Sequence, residues 1–336
     1  MRKFVMPTGG SGLEDLQIRE EDTPRPGRGE VLIRIHACSI NFRDRLFGNY
    51  AGGPMPSDVV PLSDGAGEVV EVGEGVTQFK AGDRVASTFF LNWVEGPPRG
   101  PVTALGAPGA PGMLAEYVVL PETGVVPIPR NLSYEEASTL PCAGVTAWNG
   151  LTNGVAPLRP GQSVLLLGTG GVSILALQIA RAGGADITIT SSSDEKLERA
   201  KALGAAHLVN YKQHENWAQA AVEASGRTGF DKVVEVGGFG TLPLSMQAVG
   251  YAGEIAMIGV MTRGGDNTPH VLMFKGASLR GIMVGSKAMA LDLNRAIEAS
   301  DIHPVIDRVF PFEDAAAAFG YQMGPDLFGK VVIKVA

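Results

Sequence analysis

Cysteine is nearly absent: Cys38 and Cys142 are the only two in 336 residues, too few for a disulfide framework. A chain of this size without cross-links must rely on its own cores, and it suits a reducing compartment. Long apolar runs are also missing, since none reaches the roughly 20 residues that span a bilayer. The opening stretch MRKFVMPTGG carries no apolar block of the secretory kind. A cytoplasmic protein with no membrane partner is expected. Positive charge is in deficit, with 28 Lys and Arg against 35 Asp and Glu and a net charge of −7. Without clustered cations a chain cannot neutralise a phosphate backbone, so nucleic acid is not an expected partner. The five histidines, His36, His207, His214, His270 and His303, show no metal-ligand spacing.

What is present is enough for two domains. Apolar residues make up 45 % and charged residues 19 %, a composition that builds cores rather than disorder. The first 130 residues read as β-rich, with EVLIRIHACSI (30–40), GEVVEVG (67–73) and AEYVVLP (115–121) as strands bounded by Gly or Pro. Between them, 82–112 begins aromatic and turns into a Pro- and Gly-rich stretch without period. It reads either as a surface excursion or as a pocket wall.

From about residue 160 strands alternate with helices. Apolar strands are expected at 164–167, 187–190, 207–209, 232–236, 254–258 and 279–283, with helices at 172–182, 195–203, 215–225 and 241–249. Ser192 and Glu195 suggest a capping box for the second helix, and Gly204 a place for it to end. This rhythm predicts an α/β fold with a doubly wound parallel sheet of the Rossmann type. The tail departs from it, because PVIDRVFPFEDAAAAF reads as strand then helix and GKVVIKV as a last strand. Such a tail is expected to return to the first domain. The boundaries that follow are 1–130 with 287–336, and 131–286.

The stretch LLLGTGGVSILALQ (165–178) joins the first of these strands to the first helix. Gly168 permits the turn, and Gly170 lets a pyrophosphate come close to the backbone. Thr169, Gly171 and Val172 bring N–H groups to the positive end of the helix. Ser173 stands where a third glycine is usual and is expected to loosen the packing slightly. At the end of the second strand, Ser191 and Ser192 take the place of the carboxylate that receives the ribose hydroxyls of NAD, and Lys196 follows. Hydroxyls and an ammonium can receive a 2′-phosphate that a carboxylate would repel, so NADPH is the expected cofactor. A serine-rich helix cap is the plainer reading of the same residues.

These residues resemble the medium-chain dehydrogenase/reductase superfamily. The resemblance runs through NFRDRLFGNY (41–50), DGAGEVVEVGEGV (64–76), GDRV (82–85), AEYVVLP, LPCAGVTAWNGL (140–151), the glycine turn and GKVVIKV (329–335). It implies a discontinuous, β-rich GroES-like catalytic domain and a Rossmann domain, with the nicotinamide at the base of a cleft between them. Zinc-dependent members carry a Cys and a His-Glu pair where this chain has Asn41, Ser63 and Asp64; Cys142 matches a third ligand. One thiol does not make a site of three protein ligands, so no zinc is expected. The zinc-independent quinone oxidoreductase and enoyl reductase branch is the closer likeness. It implies that Lys196 and Tyr211 serve the 2′-phosphate and that Thr146 lies near the nicotinamide, with Gly259 another cofactor contact. Tyr50 resembles the tyrosine of some enoyl reductases, and it reads equally as a pocket wall.

A site without metal favours acceptors whose product anion is stable. An alkoxide is as basic as hydroxide, whereas a quinone yields a phenolate-like anion; the gap of ~6 pKa units is about 8 kcal/mol. Asn41 and Tyr50 are the expected catalytic groups, acting on a quinone or an α,β-unsaturated carbonyl as the small-molecule substrate. Two alternatives stand beside that reading: a zinc-free alcohol dehydrogenase or carbonyl reductase, and a non-enzymatic NADPH-binding protein. The apolar last strand of the alternation (279–283) suggests a homodimer.

Overall fold

Residues 1–46 and 54–336 are described by a computed structural model, and they separate into two units, Met1–Val145 with Gly285–Ala336, and Thr146–Val284. The first unit begins with an antiparallel pair, β1 (Arg2–Val5) and β2 (Gln17–Glu20). Its main sheet holds β3 (Glu30–Ile40), β4 (Asp64–Val72), β5 (Arg84–Ser87), β6 (Tyr117–Pro121) and β7 (Val125–Pro127). Two strands from the chain's end, β14 (Ile306–Pro311) and β15 (Lys330–Lys334), complete it. β15 runs antiparallel to β3, with Val331 opposite Ile40, so the tail returns to the first unit as its sequence suggests. Ile33, Ile35 and Ile40 of β3 pack with Val331 and Ile333 of β15 in one core. Phe312 and Phe319 extend it. Burial of these side chains, each worth roughly 1.5–3 kcal/mol, is what recruits the tail.

Residues 131–145 also lie in the first unit. Ser133 caps the short helix α1 (Tyr134–Ala137), whose Tyr134 ring stacks on His36 of β3 at 4.3 Å. A π-helical turn, Leu140–Gly144, follows. The Pro- and Gly-rich excursion is closed at its base, where Leu91 N donates to Thr103 O and Leu105 N to Phe89 O.

The second unit is a six-stranded parallel sheet: β8 (Ser163–Leu167), β9 (Asp186–Ser191), β10 (His207–Asn210), β11 (Phe230–Glu235), β12 (Val249–Met257) and β13 (Ser278–Gly281). Their order, β10-β9-β8-β11-β12-β13, reverses direction between β8 and β11, the doubly wound arrangement. Helices α2 (Val145–Thr152), α3 (Gly171–Ala182), α4 (Asp194–Ala202), α5 (Trp217–Ser225), α6 (Leu242–Ala248) and α7 (His270–Lys275) accompany the chain between strands. Two local expectations change. The cap of α4 is Ser193 rather than Ser192, because Ser191 still belongs to β9 and its Oγ accepts from Ser193 N. Ser173 does not loosen the first turn; its buried Oγ donates to Leu167 O at 2.6 Å and ties α3 to the end of β8.

One ionic group fixes the far side of the sheet. Glu254 is fully buried and accepts from Lys232 Nζ at 2.7 Å and Arg280 Nε at 3.1 Å. Arg280 in turn donates to the carbonyls of Asn149 and Asn153 and to Asn149 Oδ1, anchoring α2. Removing Glu254 strands the buried Lys232 ammonium without its acceptor. Glu254→Ala is therefore expected to lower unfolding free energy by about 3–5 kcal/mol in a denaturant titration. A loss below ~1 kcal/mol would show that water reaches the two cations.

Candidate cofactor site and a buried polar corner

In the second unit the strands β8, β9 and β10 end side by side, at Leu167, Ser191 and Asn210. Gly168 leaves β8 at φ 70°, a conformation that costs a side chain roughly 1–2 kcal/mol. A Cβ at Gly168 or at Gly170 would meet nothing within 4 Å, so the backbone here borders open space. Gly170 is the N-cap of α3 and provides no side-chain acceptor for the first-turn N–H groups. Thr169, Gly171 and Val172 stand on the same turn. A turn of this form offers unpaired N–H groups and a helix dipole to an anion, and it fits the pyrophosphate of a dinucleotide.

The neighbouring strand end carries hydroxyls. Ser191 is buried, accepts from Ser193 N through Oγ, and receives Tyr211 N on its carbonyl at 3.0 Å. Ser192 and Lys196 are half-buried beside it. The nearest carboxylate in sequence, Asp194, accepts from Asn210 Nδ2 at 2.7 Å and from Gln213 Nε2. Gly168–Val172, Ser191 and Tyr211 thus stand at or just past three adjacent strand ends, with Ser192 in the turn after β9 and Lys196 in the first turn of α4. Gly259 lies after β12, and its N–H is already donated to Glu235 O. A Cβ there would fall 2.0 Å from Val236 O, so the glycine is required by close backbone approach. Thr146 is buried in the first turn of α2. A feature missed in the sequence is the turn after β11, where the buried Glu235 carboxylate accepts from Gly237 N, Gly238 N and Thr241 Oγ1.

In the first unit a polar corner forms where β3 ends and β4 and β15 begin. The register places Ser39 opposite Asp64 and Val331 opposite Ile40, so Asn41, Asp64 and Lys330 converge. Leu62, a buried residue at φ 71°, brings the chain into β4 through Ser63. Lys330 Nζ donates to Ile40 O and to Asn41 Oδ1, both at 2.6 Å. Asp64 accepts from Ser63 Oγ at 2.6 Å and from Cys142 N at 2.9 Å. Burial raises the Asp64 carboxyl above its ordinary range, and the Lys330 charge opposes that rise. Burial likewise lowers the Lys330 ammonium, with Asp64 as the main opposing charge. Asp44, which accepts Asn41 N at 2.7 Å, is pushed up to about 6 by burial. Tyr50 lies outside the described residues.

Comparison with known proteins places these features in a family. Residues 27–130 match the alcohol dehydrogenase GroES-like domain, and residues 171–299 match the model described as zinc-binding dehydrogenase. The zinc-type alcohol dehydrogenase-like protein C1773.06c of Schizosaccharomyces pombe is 44 % identical over 99 % of both chains. The 2-methylene-furan-3-one reductase of Solanum lycopersicum is 34 % identical over 90 % of this chain and 71 % of its own. A crystal structure of an NAD-dependent alcohol dehydrogenase covers all of both chains at 34 % identity with a TM-score of 0.90.

The donor set at the polar corner does not fit a zinc ion. Asn41 presents an amide and Ser63 a hydroxyl already bonded to Asp64. Burial, and after it the neighbouring Asp64 charge, push the Cys142 thiol up. An ammonium stands among them, and among the described residues no group of three or more His, Cys, Asp or Glu side chains gathers to hold a metal. Family-model matches in both units and a relative 44 % identical over nearly the whole chain are decisive. This chain belongs to the medium-chain dehydrogenase/reductase superfamily of oxidoreductases, built from a GroES-like and a Rossmann domain.

Proposed function

We propose that the protein is an NADPH-dependent, zinc-independent reductase of quinones or α,β-unsaturated carbonyl compounds. The observation that carries this reading is the pair of strand ends described above. Hydroxyls stand at the close of β9, and Asp194, the nearest carboxylate in sequence, lies past them in the first turn of α4, where it accepts from Asn210 and Gln213. The relative named for reduction of a methylene-furanone, a conjugated enone, supports the substrate class. The solved NAD-dependent alcohol dehydrogenase favours the other cofactor and a simple alcohol, and those are the competing reading.

Bound NADPH supplies hydride; the chain holds and aims it. Gly168–Val172 would take the pyrophosphate on backbone N–H groups, and Ser191, Ser192, Lys196 and Tyr211 the 2′-phosphate. Thr146 and Gly259 are proposed contacts further along the cofactor. Asn41 and Tyr50 would donate to the substrate oxygen as negative charge develops there. With no Lewis acid in the donor set, this assistance suits an enolate or phenolate better than an alkoxide.

A homodimer is also proposed. β13 is the last strand of its sheet, and around it Met261, Met273, Phe274 and Met283 are exposed. A bare sheet edge with apolar neighbours is commonly covered by pairing. Light scattering at micromolar concentration should give twice the chain mass; a monomer would contradict the proposal.

The cofactor reading is tested by kcat/KM for both nucleotides with an enone, a quinone and a simple ketone. One or two charge-assisted hydrogen bonds to the 2′-phosphate predict a preference for NADPH of about 10- to 1,000-fold. Ser191→Asp should narrow or reverse it, and Lys196→Ala should weaken NADPH while leaving NADH nearly unchanged. Equal use of the two nucleotides by the wild type would return the serines to a helix cap, and ketone as the best substrate would favour the alcohol dehydrogenase.

A further inference from the structure

Lys330 is a deeply buried ammonium of the first unit, and the proposed chemistry leaves it without a part. It is 3 % exposed, and its ammonium is spent on two acceptors, Ile40 O and Asn41 Oδ1. Lysine only donates hydrogen bonds. Its presence therefore decides which end of the Asn41 amide faces it, an assignment that is otherwise ambiguous for asparagine. Oδ1 is taken, and the amide NH2 must lie on the other side. Asn41 is itself 6 % exposed, and its Nδ2 is buried with no acceptor at hydrogen-bonding distance. The amide lies near enough to Asp64 to help hold that carboxyl down, yet it completes no bond with it. A buried donor without an acceptor is costly to keep, and a ligand that takes it up is one way a folded protein offsets that cost.

We propose that Lys330 is a positioning residue for the reduction: by occupying Asn41 Oδ1 it leaves the Asn41 NH2 as the hydrogen-bond donor to the carbonyl oxygen of the substrate. The proposal rests on the reductase reading but not on the class of carbonyl, because any carbonyl reduced by hydride gathers charge on oxygen. The register makes the device local. Lys330 opens β15 opposite the end of β3, so the residue that orients the amide comes from the tail strand, and the amide from the segment just after β3. Asp64 completes the arrangement, offsetting the ammonium charge without competing for Oδ1.

The test uses whichever of an enone, a quinone and a simple ketone the wild type reduces fastest, with NADPH binding followed by fluorescence as the check on folding. Asn41→Asp is nearly isosteric and keeps an acceptor for Lys330, but it removes the donor. It should lower kcat by about 10²–10³-fold, the usual loss of an oxyanion donor, with NADPH affinity unchanged. Lys330→Met should lower kcat at least about tenfold, and Lys330→Gln, which can still donate to Oδ1, should recover most of it. In the double variant Asn41→Ala/Lys330→Met the loss should be no greater than about twofold beyond Asn41→Ala alone, because one residue acts through the other. Full activity in Asn41→Asp, or losses in the double variant that multiply, would overturn the proposal. Fastest turnover of the ketone would overturn the enone and quinone reading while the same variants still decide the role of Lys330. Turnover of none of the three carbonyls would overturn both.

Discussion

An ammonium group removed from water has to be held by oxygen, and in the first unit Lys330 is held by Ile40 O and Asn41 Oδ1. That contact exists only because β15, formed more than 280 residues after β3, lies antiparallel against it in the register that sets Val331 opposite Ile40. A shift of one residue would turn Lys330 to the other face of the sheet and bring Val331 to the corner. The apolar core beneath it, with Ile33, Ile35, Val331 and Ile333, fixes the register and so fixes the charge. Core packing and polar chemistry are in this way one constraint. The same charge bears on the corner's fit to a divalent ion: the Lys330 ammonium already holds Asn41 Oδ1, and the Ser63 hydroxyl is bonded to Asp64.

For the anion proposed to bind there, the second unit offers no cluster of cations. Its resource is backbone geometry. Gly168 turns the chain at φ 70°, Gly170 leaves the start of α3 uncapped by any side chain, and the space beside both is open. Ser173 strengthens this arrangement by bonding back to Leu167 O, so the turn is held from behind while its N–H groups face outward. Beyond the turn, hydroxyls close β9, and Asp194 in the first turn of α4 accepts from two amides, Asn210 and Gln213.

Much of this was legible in the sequence, and the limits have physical causes. The parallel alternation was readable because each strand and helix announces itself by local period, and the glycine turn because it sits between them. Strand ends shift by one or two residues in β13 and by five at the start of β12, since period gives no terminus. The capping residue moved from Ser192 to Ser193 because three consecutive serines leave the cap to be decided by where β9 stops. Ser173 was read for size alone, and only the structure reveals its hydrogen bond. Asn41 and Asp64 could be singled out by their place in family motifs. Lys330 could not, because a lysine between a glycine and a strand looks solvated until the register sets it against β3.

We propose that carbonyl reduction here runs without a bound metal, beside the buried ammonium of Lys330. Metal analysis of the purified, active protein, followed by activity before and after exhaustive dialysis against a chelator, addresses it directly. Zinc far below one equivalent per chain, with activity unchanged by the chelator, is the predicted result. About one tightly held zinc per chain, with activity lost on its removal and restored on its return, would contradict the claim.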